Sequence, residues 1–203
     1  MIISNSYKFV FIKTRKVAGS SIERVILPHL TEKDVYTGFR TKEEHILPIN
    51  FKEGYNLSHM SWADVKERYP KAFKRYFKFT VERNPWDKLV SYFFYYNHFK
   101  PHTTKKGFKT WLKSRGHEYS DWFRYADNDT IVVDRVLQYE NLHEEMVQLA
   151  KDCIVPYKGE LKRTRVLGGL RKNANYRSMY DSETENLVRV LFRKEINYFN
   201  YKF

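Results

Sequence analysis

The sequence predicts a single α/β domain over residues 1–203, with a central parallel β-sheet flanked by helices. Three observations lead there. Short aromatic and β-branched runs at residues 7–14, 76–81 and 130–139 have strand composition. Each is followed by apolar residues at helical spacing, the pattern of crossovers between parallel strands. The length suits one domain, and 16 Tyr, 15 Phe and 4 Trp supply apolar area for one core although hydrophobic residues make up only 42%.

Composition narrows the function as well. A chain this rich in aromatic residues is not globally disordered, and 8 Gly with 6 Pro exclude a collagen-like or linker-like composition. The one cysteine, Cys153, excludes an intrachain disulfide and a multi-cysteine zinc site. No run approaches the ~18 apolar residues of a membrane span. Residues 1–10 lack a basic n-region and a small-residue cleavage site, so a soluble chain without a secretion signal is expected. With 37 Lys+Arg against 24 Asp+Glu the net charge is +13, which calls for an anionic partner: nucleic acid, an acidic polymer, a membrane surface or a charged nucleotide.

Residues 7–14 (Tyr-Lys-Phe-Val-Phe-Ile-Lys-Thr) form the first strand. A tight loop from Lys16 to Ser21 follows, then a helix with Ile22, Val25 and Ile26 on its apolar face. Residues 31–57, with Gly38, Pro48 and Gly54 and no clear period, read as loops and short elements. Ser61 with Asp64 makes a capping box that opens a short helix stopped by Pro70, which sets His59 just before a helix N-terminus. Residues 76–81 are the second strand. Asn84 as N-cap, Pro85 as first helical residue and Asp87 in the first turn then open a strongly apolar helix. Residues 105–115 read as an amphipathic helix closed by Gly116. Residues 130–139 are the third strand, with a helix through Met146, Leu149 and Ala150 behind it. The basic stretch 155–180 reads as a loop, and Ser182 with Glu185 caps a last helix running through Ile196.

Ligands of such sheets bind beyond the carboxyl ends of the strands, and Lys16 and Arg83 stand at two of those ends. In the loop Lys16-Val17-Ala18-Gly19-Ser20-Ser21, small residues let backbone N–H groups approach an anion. The following helix directs its positive dipole end there, and Lys16 adds a full charge. The loop is not a Walker A sequence, because Lys precedes the Gly by three instead of following it. The competing readings are an ordinary strand-to-helix turn with a solvated Lys16, and a capped core helix with Arg83 in an internal salt bridge.

Residues 9–22 (Phe-Val-Phe-Ile-Lys-Thr-Arg-Lys-Val-Ala-Gly-Ser-Ser-Ile) resemble the 5′-phosphosulfate loop, P-K-[TS]-[AG]-[GS]-[TS]-[ST], of sulfotransferases that use 3′-phosphoadenosine 5′-phosphosulfate (PAPS). The resemblance is closest to the branch containing carbohydrate and heparan-type O-sulfotransferases. Arg15 stands where that branch often has Pro and Val17 where it often has Thr, so a contact at Val17 would rest on the backbone N–H alone. Residues 81–91 (Val-Glu-Arg-Asn-Pro-Trp-Asp-Lys-Leu-Val-Ser) resemble the family's 3′-phosphate motif, R-[ND]-P-[YWF]-[DE]-[RK]-[LVA]-x-S. Weaker echoes are Gln138-Tyr-Glu-Asn-Leu142 and the closing stretch 180–203, with Asn197 in place of an acidic residue. The resemblance implies a P-loop-like sulfotransferase fold with PAPS as donor and no metal. It implies that Val17, Ala18, Gly19, Ser20 and Ser21 hold the 5′-phosphosulfate, that Lys16 serves the bridging oxygen, and that Arg83 and Ser91 bind the 3′-phosphate. Arg171 and Lys172 are candidates for a loop covering the nucleotide, against the alternative of a solvated charge run.

Transfer to a hydroxyl needs a base, and His is the side chain matched to neutral pH. Of the seven histidines (His29, His45, His59, His98, His102, His117 and His143), His59 falls between the two motifs and resembles the family's H-x-[ST] segment. His45, Glu82 and Glu53 are alternative bases. His98 and His102 lie four apart, but Pro101 between them argues against a metal pair. The expected acceptor is a carbohydrate or small-molecule hydroxyl, walled by residues 31–57 and by the aromatic-basic run 92–106, with no nucleic acid involved. Members of the resembled branch are usually membrane-anchored, whereas this chain begins at its first strand, so a cytoplasmic setting is expected. A nucleotide kinase would want a Walker A loop and a Mg²⁺-holding Asp, and a nucleic-acid module a zinc or RNP-like pattern; neither is found. A catalytically dead relative that only binds a glycan or a protein is the third rival.

Overall fold

The computed structural model describes residues 1–38, 50–53, 55–97, 103–152, 154–158 and 175–203. Its strands are β1 (Ile2–Ser4), β2 (Phe9–Phe11), β3 (Val35–Gly38), β4 (Asn50–Glu53), β5 (Phe77–Glu82), β6 (Ala126–Asp127), β7 (Thr130–Ile131) and β8 (Arg135–Gln138). The helices are α1 (Gly19–Ile26), α2 (Tyr55–Ser58), α3 (Trp62–Arg68), α4 (Pro70–Arg75), α5 (Pro85–Asn97), α6 (Lys105–Arg115), α7 (Trp122–Tyr125), α8 (Leu142–Lys151), α9 (Ser182–Leu191) and α10 (Arg193–Phe199). The chain divides into two compact units, Met1–Glu82 with Phe123–Arg163 and Arg83–Trp122 with Thr164–Phe203.

The first unit holds a six-stranded sheet of order β4-β3-β1-β2-β5-β8. Strands β2, β5 and β8 run parallel, as do β3 and β4, while β1 is antiparallel to both β2 and β3. The α/β sheet is therefore mixed where a parallel one was expected. Residues 5–8 are too few for the crossover that a parallel return demands, so β1 and β2 close as a hairpin with Lys8 at φ 62°. Asp34 pins this hairpin to β3 by accepting from Ser4 Oγ at 3.0 Å, Ser6 N at 2.9 Å and Thr31 N at 2.8 Å. Phe9, Phe11, Phe79 and Val81 alternate onto one face, where Ile22 and Ile26 of α1 and Met146 and Leu149 of α8 pack against them. Val10 and Thr80, on the opposite face, are buried too, as strands covered on both sides require. Each such apolar side chain contributes roughly 1.5–3 kcal/mol relative to exposure.

Several local expectations are corrected. Residues 31–57 hold short elements as expected, but two of them, β3 and β4, join the main sheet as a parallel pair that a segment without a clear period does not reveal. Pro70 stops α3 but also serves as the first residue of α4, a position where its missing N–H costs nothing. The strand expected at 130–139 is split: β7 pairs with β6 in a small hairpin turned by Asn128 at φ 51°, and only β8 joins the sheet. Asp134 makes the break, because its carboxylate accepts from Lys78 N at 2.7 Å and its own N–H donates to Lys78 O at 2.8 Å.

The second unit packs Trp86, Leu89, Val90 and Phe93 of α5 with Phe108 and Leu112 of α6 and Val188 of α9. Helix α6 has the expected bounds, but Gly116 continues with a right-handed φ of −53° and is no left-handed cap. Its small size is what counts: a Cβ there would lie 2.7 Å from Leu112 Cδ1 and 3.2 Å from Leu191 Cδ1. Helix α9 is capped by Asp181 with Thr184, one residue earlier than the Ser182–Glu185 box expected. The single last helix breaks at Phe192 into α9 and α10. In the core of this unit the Lys88 ammonium meets Asp121 at 3.0 Å, both side chains at most 1% exposed.

Candidate active site

The loop after β2 is built on the carboxyl edge of the sheet. Ile12 N–H donates to Phe79 O at 2.9 Å and Thr80 Oγ1 to Ile12 O at 2.7 Å, while the Thr14 hydroxyl donates to Val81 O. This clamp carries the chain into bends at residues 15–18, with Lys16 at φ 58° and Ala18 at φ 62°. Left-handed backbone costs a residue with a Cβ about 1–2 kcal/mol, and such outliers concentrate where geometry serves a ligand. Left-handed residues two apart in a tight loop bring successive N–H groups into one concavity, an anion-binding arrangement. Helix α1 starts from Ala18, with the N–H groups of Ser21 and Ile22 donating to Ala18 O at 2.8 and 3.1 Å. The amides of Gly19 and Ser20 precede the first intrahelical bond. The N-cap residue Ala18 has no side-chain acceptor to offer and no acidic residue occupies the first turn, an end whose positive dipole suits an anion. Val17 points its side chain into the core, which leaves its backbone N–H as the group it can offer.

Lys13, which the sequence reading overlooked, organises this loop. Its side chain lies across Gly19, where a Cβ would come within 2.8 Å of Lys13 Cγ and 2.9 Å of Cε. Its ammonium pairs with the Glu23 carboxylate and donates to Ser20 Oγ at 3.4 Å. Glu23 is 3% exposed; burial pushes its carboxyl up, but the Met1 ammonium at 3.1 Å and Lys13 together hold it below the ordinary value.

His59 is fixed against the stem of the same loop. Its Nδ1 lies 2.9 Å from Lys13 O, and since a carbonyl only accepts, Nδ1 carries the proton. In the neutral ring the lone pair is then on Nε2, the tautomer a general base needs. From the other side Arg124 donates to His59 O. The Ser61–Asp64 capping box forms as expected, with Asp64 N–H donating to Ser61 Oγ at 3.2 Å and Ser61 N–H to Asp64 Oδ2 at 2.7 Å. It sets the turn that presents His59. Glu82, the alternative base at the end of β5, is 1% exposed and accepts from Tyr125 Oη at 3.0 Å.

In the second unit the motif from Arg83 to Ser91 opens α5 as read from the sequence. Trp86 N–H donates to Asn84 Oδ1 at 3.1 Å, Pro85 is the first helical residue and Asp87 lies in the first turn. The competing reading of Arg83 is also realised: its Nε and Nη2 donate to Asp87 Oδ2 at 2.9 and 2.5 Å. This internal pair grips one side of the guanidinium and sets the orientation of the planar fork, the group suited to phosphate. Ser91 follows two turns later, half-buried on α5.

The sequence model of the sulfotransferase family matches residues 1–202. The chain belongs to the sulfotransferase family. Among curated proteins it is similar to an uncharacterized protein of Archaeoglobus fulgidus, 33% identical over 90 residues that cover 42% of this chain and 74% of that one. It is also similar to carbohydrate sulfotransferase 10 of Homo sapiens, 23% identical over 62% of this chain and 37% of the relative, and to that of Gallus gallus, 23% identical over 77% and 46%. The chain thus spans less than half the length of these two sulfotransferases. No solved structure matches it.

The first unit contains Lys16, Val17, Ala18, Gly19, Ser20 and Ser21 together with His59, which is tied to the stem of their loop through Lys13 O; in the second unit Arg83 immediately precedes the capped start of α5 and Ser91 lies within that helix. Arg171, Lys172, His45, His98 and His102 lie outside the described residues. Among the described residues no group of three or more His, Cys, Asp or Glu could hold a metal ion, and no helix is long and apolar enough to cross a membrane. Lys13 was findable, since it sits at a strand end ten residues before Glu23 on the helix that follows; nothing in the sequence links Arg124 to His59.

Proposed function

We propose that this chain transfers a sulfuryl group from PAPS to a carbohydrate hydroxyl. The observation that carries the proposal is the acid-free N-terminus of α1, with Ala18 as N-cap, behind the left-handed Lys16 and Ala18, with the His59 ring held on the loop's stem through Lys13 O. The loop fits the donor's anionic end: converging amides, a helix dipole and one lysine, with Gly19 leaving no Cβ between them. The donor would supply an activated sulfuryl group with a good leaving group.

The chain's own residues then do three things. The amides of Val17 to Ser21 hold the phosphosulfate oxygens, and the Lys16 ammonium stabilises negative charge growing on the bridging oxygen as the bond to sulfur breaks. His59 Nε2 takes the acceptor hydroxyl's proton as the new bond to sulfur forms in line. Arg83 and Ser91 take the 3′-phosphate, with Arg171 and Lys172 as further nucleotide contacts. The carbohydrate acceptor is inferred from the sulfotransferases of that name among the relatives.

The test is transfer of ³⁵S-sulfate from PAPS onto a panel of glycans, with binding of the desulfated nucleotide measured separately. Wild type should label at least one glycan, His59→Ala should lose labelling, and both should bind the desulfated nucleotide alike. Failure of wild type to bind that nucleotide would end the proposal.

A further inference from the structure

Helix α5 does not stop at the phosphate motif. One turn past Ser91, about 6 Å along the axis, it presents Tyr95 and Tyr96, which are 39% and 47% exposed. Their rings meet at 80° with centroids 5.0 Å apart, forming an open corner of two aromatic faces. The corner stands on a buried aromatic base. Tyr96 is parallel to Tyr92 with centroids 6.1 Å apart and tilted to Tyr119 at 6.3 Å, and Tyr119 in turn packs on Trp111 at 5.0 Å. Tyr92 and Tyr119 are 1% and 4% exposed, so Tyr96 is backed by buried rings, and Tyr95 meets Tyr96 edge-on.

A planar polar group flanks the corner. Arg115 and Glu118 form a two-pronged pair, Nε to Oε1 at 3.1 Å and Nη2 to Oε2 at 2.8 Å, with 56% and 40% of their side chains exposed. Glu118 directly precedes Tyr119, whose ring tilts on Tyr96 at 6.3 Å, so the pair stands next to the base of the corner.

We infer that Tyr95, Tyr96 and the Arg115–Glu118 pair bind a pyranose ring of the acceptor glycan. The inference rests on the sulfotransferase reading above. A pyranose has an apolar C–H face that stacks on an electron-rich ring, and an edge of adjacent hydroxyls that both donate and accept. The tyrosine corner meets the first. The pair meets the second, since Glu118 accepts from a hydroxyl while Arg115 donates to its neighbour. A guanidinium already neutralised by a carboxylate suits a hydroxyl-rich sugar better than a phosphate. Tyrosine also offers a large rigid face at low entropy cost, and here it is pre-oriented. Serving a lipid would leave the ion pair without purpose, and serving a nucleobase would not use the hydroxyl-matched edge.

The experiment measures retention on an array of immobilised neutral and uronate-bearing oligosaccharides, with the desulfated nucleotide saturating. Wild type, Tyr96→Ala, Tyr95→Ala, Tyr96→Phe and Glu118→Ala are compared, and nucleotide affinity is titrated for each. The expected result is retention of at least one oligosaccharide by wild type, weakened about tenfold or more by either alanine at the tyrosines and by Glu118→Ala, and kept by Tyr96→Phe. Nucleotide affinity should not change in any variant, which separates this site from the donor site. No glycan retained by wild type, or equal retention by the alanine variants, overturns the inference. So does a finding that these variants alter only the sedimentation coefficient, which would make the patch a contact between copies. Wild type that fails to bind the nucleotide but shows the tyrosine-dependent retention would sink the sulfotransferase reading and leave the sugar site standing.

Discussion

Gly19 is where the loop can be tested most sharply. Adding a methyl there brings it to 2.8 Å from Lys13 Cγ, 2.9 Å from Cε and 3.3 Å from Cδ. Lys13 cannot yield easily, because its ammonium is tied to Glu23 and its carbonyl to His59 Nδ1. Overpacking of this kind costs about 1–3 kcal/mol, while Ala in place of Gly returns about 0.4–1 kcal/mol by restricting the unfolded chain. Gly19→Ala should therefore destabilise by about 0.5–2 kcal/mol, a fall of about 2–6 °C in Tm for a chain of this size. In a Lys13→Ala background the obstacle is gone, and the same substitution should raise Tm by about 1–3 °C. The assay is thermal unfolding of the four proteins of the cycle, whose coupling should reach about 1–3 kcal/mol against an additivity error of about 0.5 kcal/mol. If Gly19→Ala shifts Tm by the same sign and amount in both backgrounds, the contact is not what excludes a side chain at Gly19.

Other outcomes follow from the same geometry. Lys16→Ala should lower kcat for sulfate transfer by at least about a hundredfold while changing affinity for the desulfated nucleotide far less, and an unchanged kcat removes Lys16 from the chemistry. Arg83→Ala should weaken nucleotide binding by about 1.5–3 kcal/mol in a calorimetric titration, whereas equal affinity would remove Arg83 from the nucleotide site. Lys88→Ala strips the partner from buried Asp121 and should cost about 3–5 kcal/mol in denaturant unfolding; joint replacement of Lys88 by Met and Asp121 by Leu should recover most of it. Acid should also unfold the first unit. Burial pushes the Glu23, Asp34 and Asp64 carboxyls up, but charges and hydrogen bonds outweigh it and hold each below its ordinary 4.5, 3.8 and 3.8. The unfolded chain therefore binds more protons in the acid range, so Tm should fall as pH drops below about 5, and Asp34→Asn should flatten that limb. A Tm unchanged to about pH 3 would contradict the assignment.

The two strand-loop-helix motifs and the elements around them were legible because their signals are local. Strand composition in Phe9–Phe11, small residues at 18–21, the Asn84–Pro85–Asp87 helix start and the Ser61–Asp64 box each act within a few residues. Strand pairing was not local. Nothing in residues 31–57 announces that β3 lies beside β1 and β4 beside β3, since both are short and depend on partners brought from elsewhere. The split of residues 130–139 turns on one aspartate binding a backbone 56 residues away.

The sequence by itself determined that a basic loop with small residues joins a strand to a helix, that a second strand ends in an arginine and a capped helix, and that a histidine stands before a capping box. These follow from propensity, hydrophobic period and capping, which act over a turn or two. Only the tertiary structure decided which tautomer His59 adopts, that Lys13 fills the space over Gly19, and that Tyr95 and Tyr96 stand exposed on a buried aromatic base. Each of these depends on atoms distant in sequence or on packing direction, which no local preference encodes.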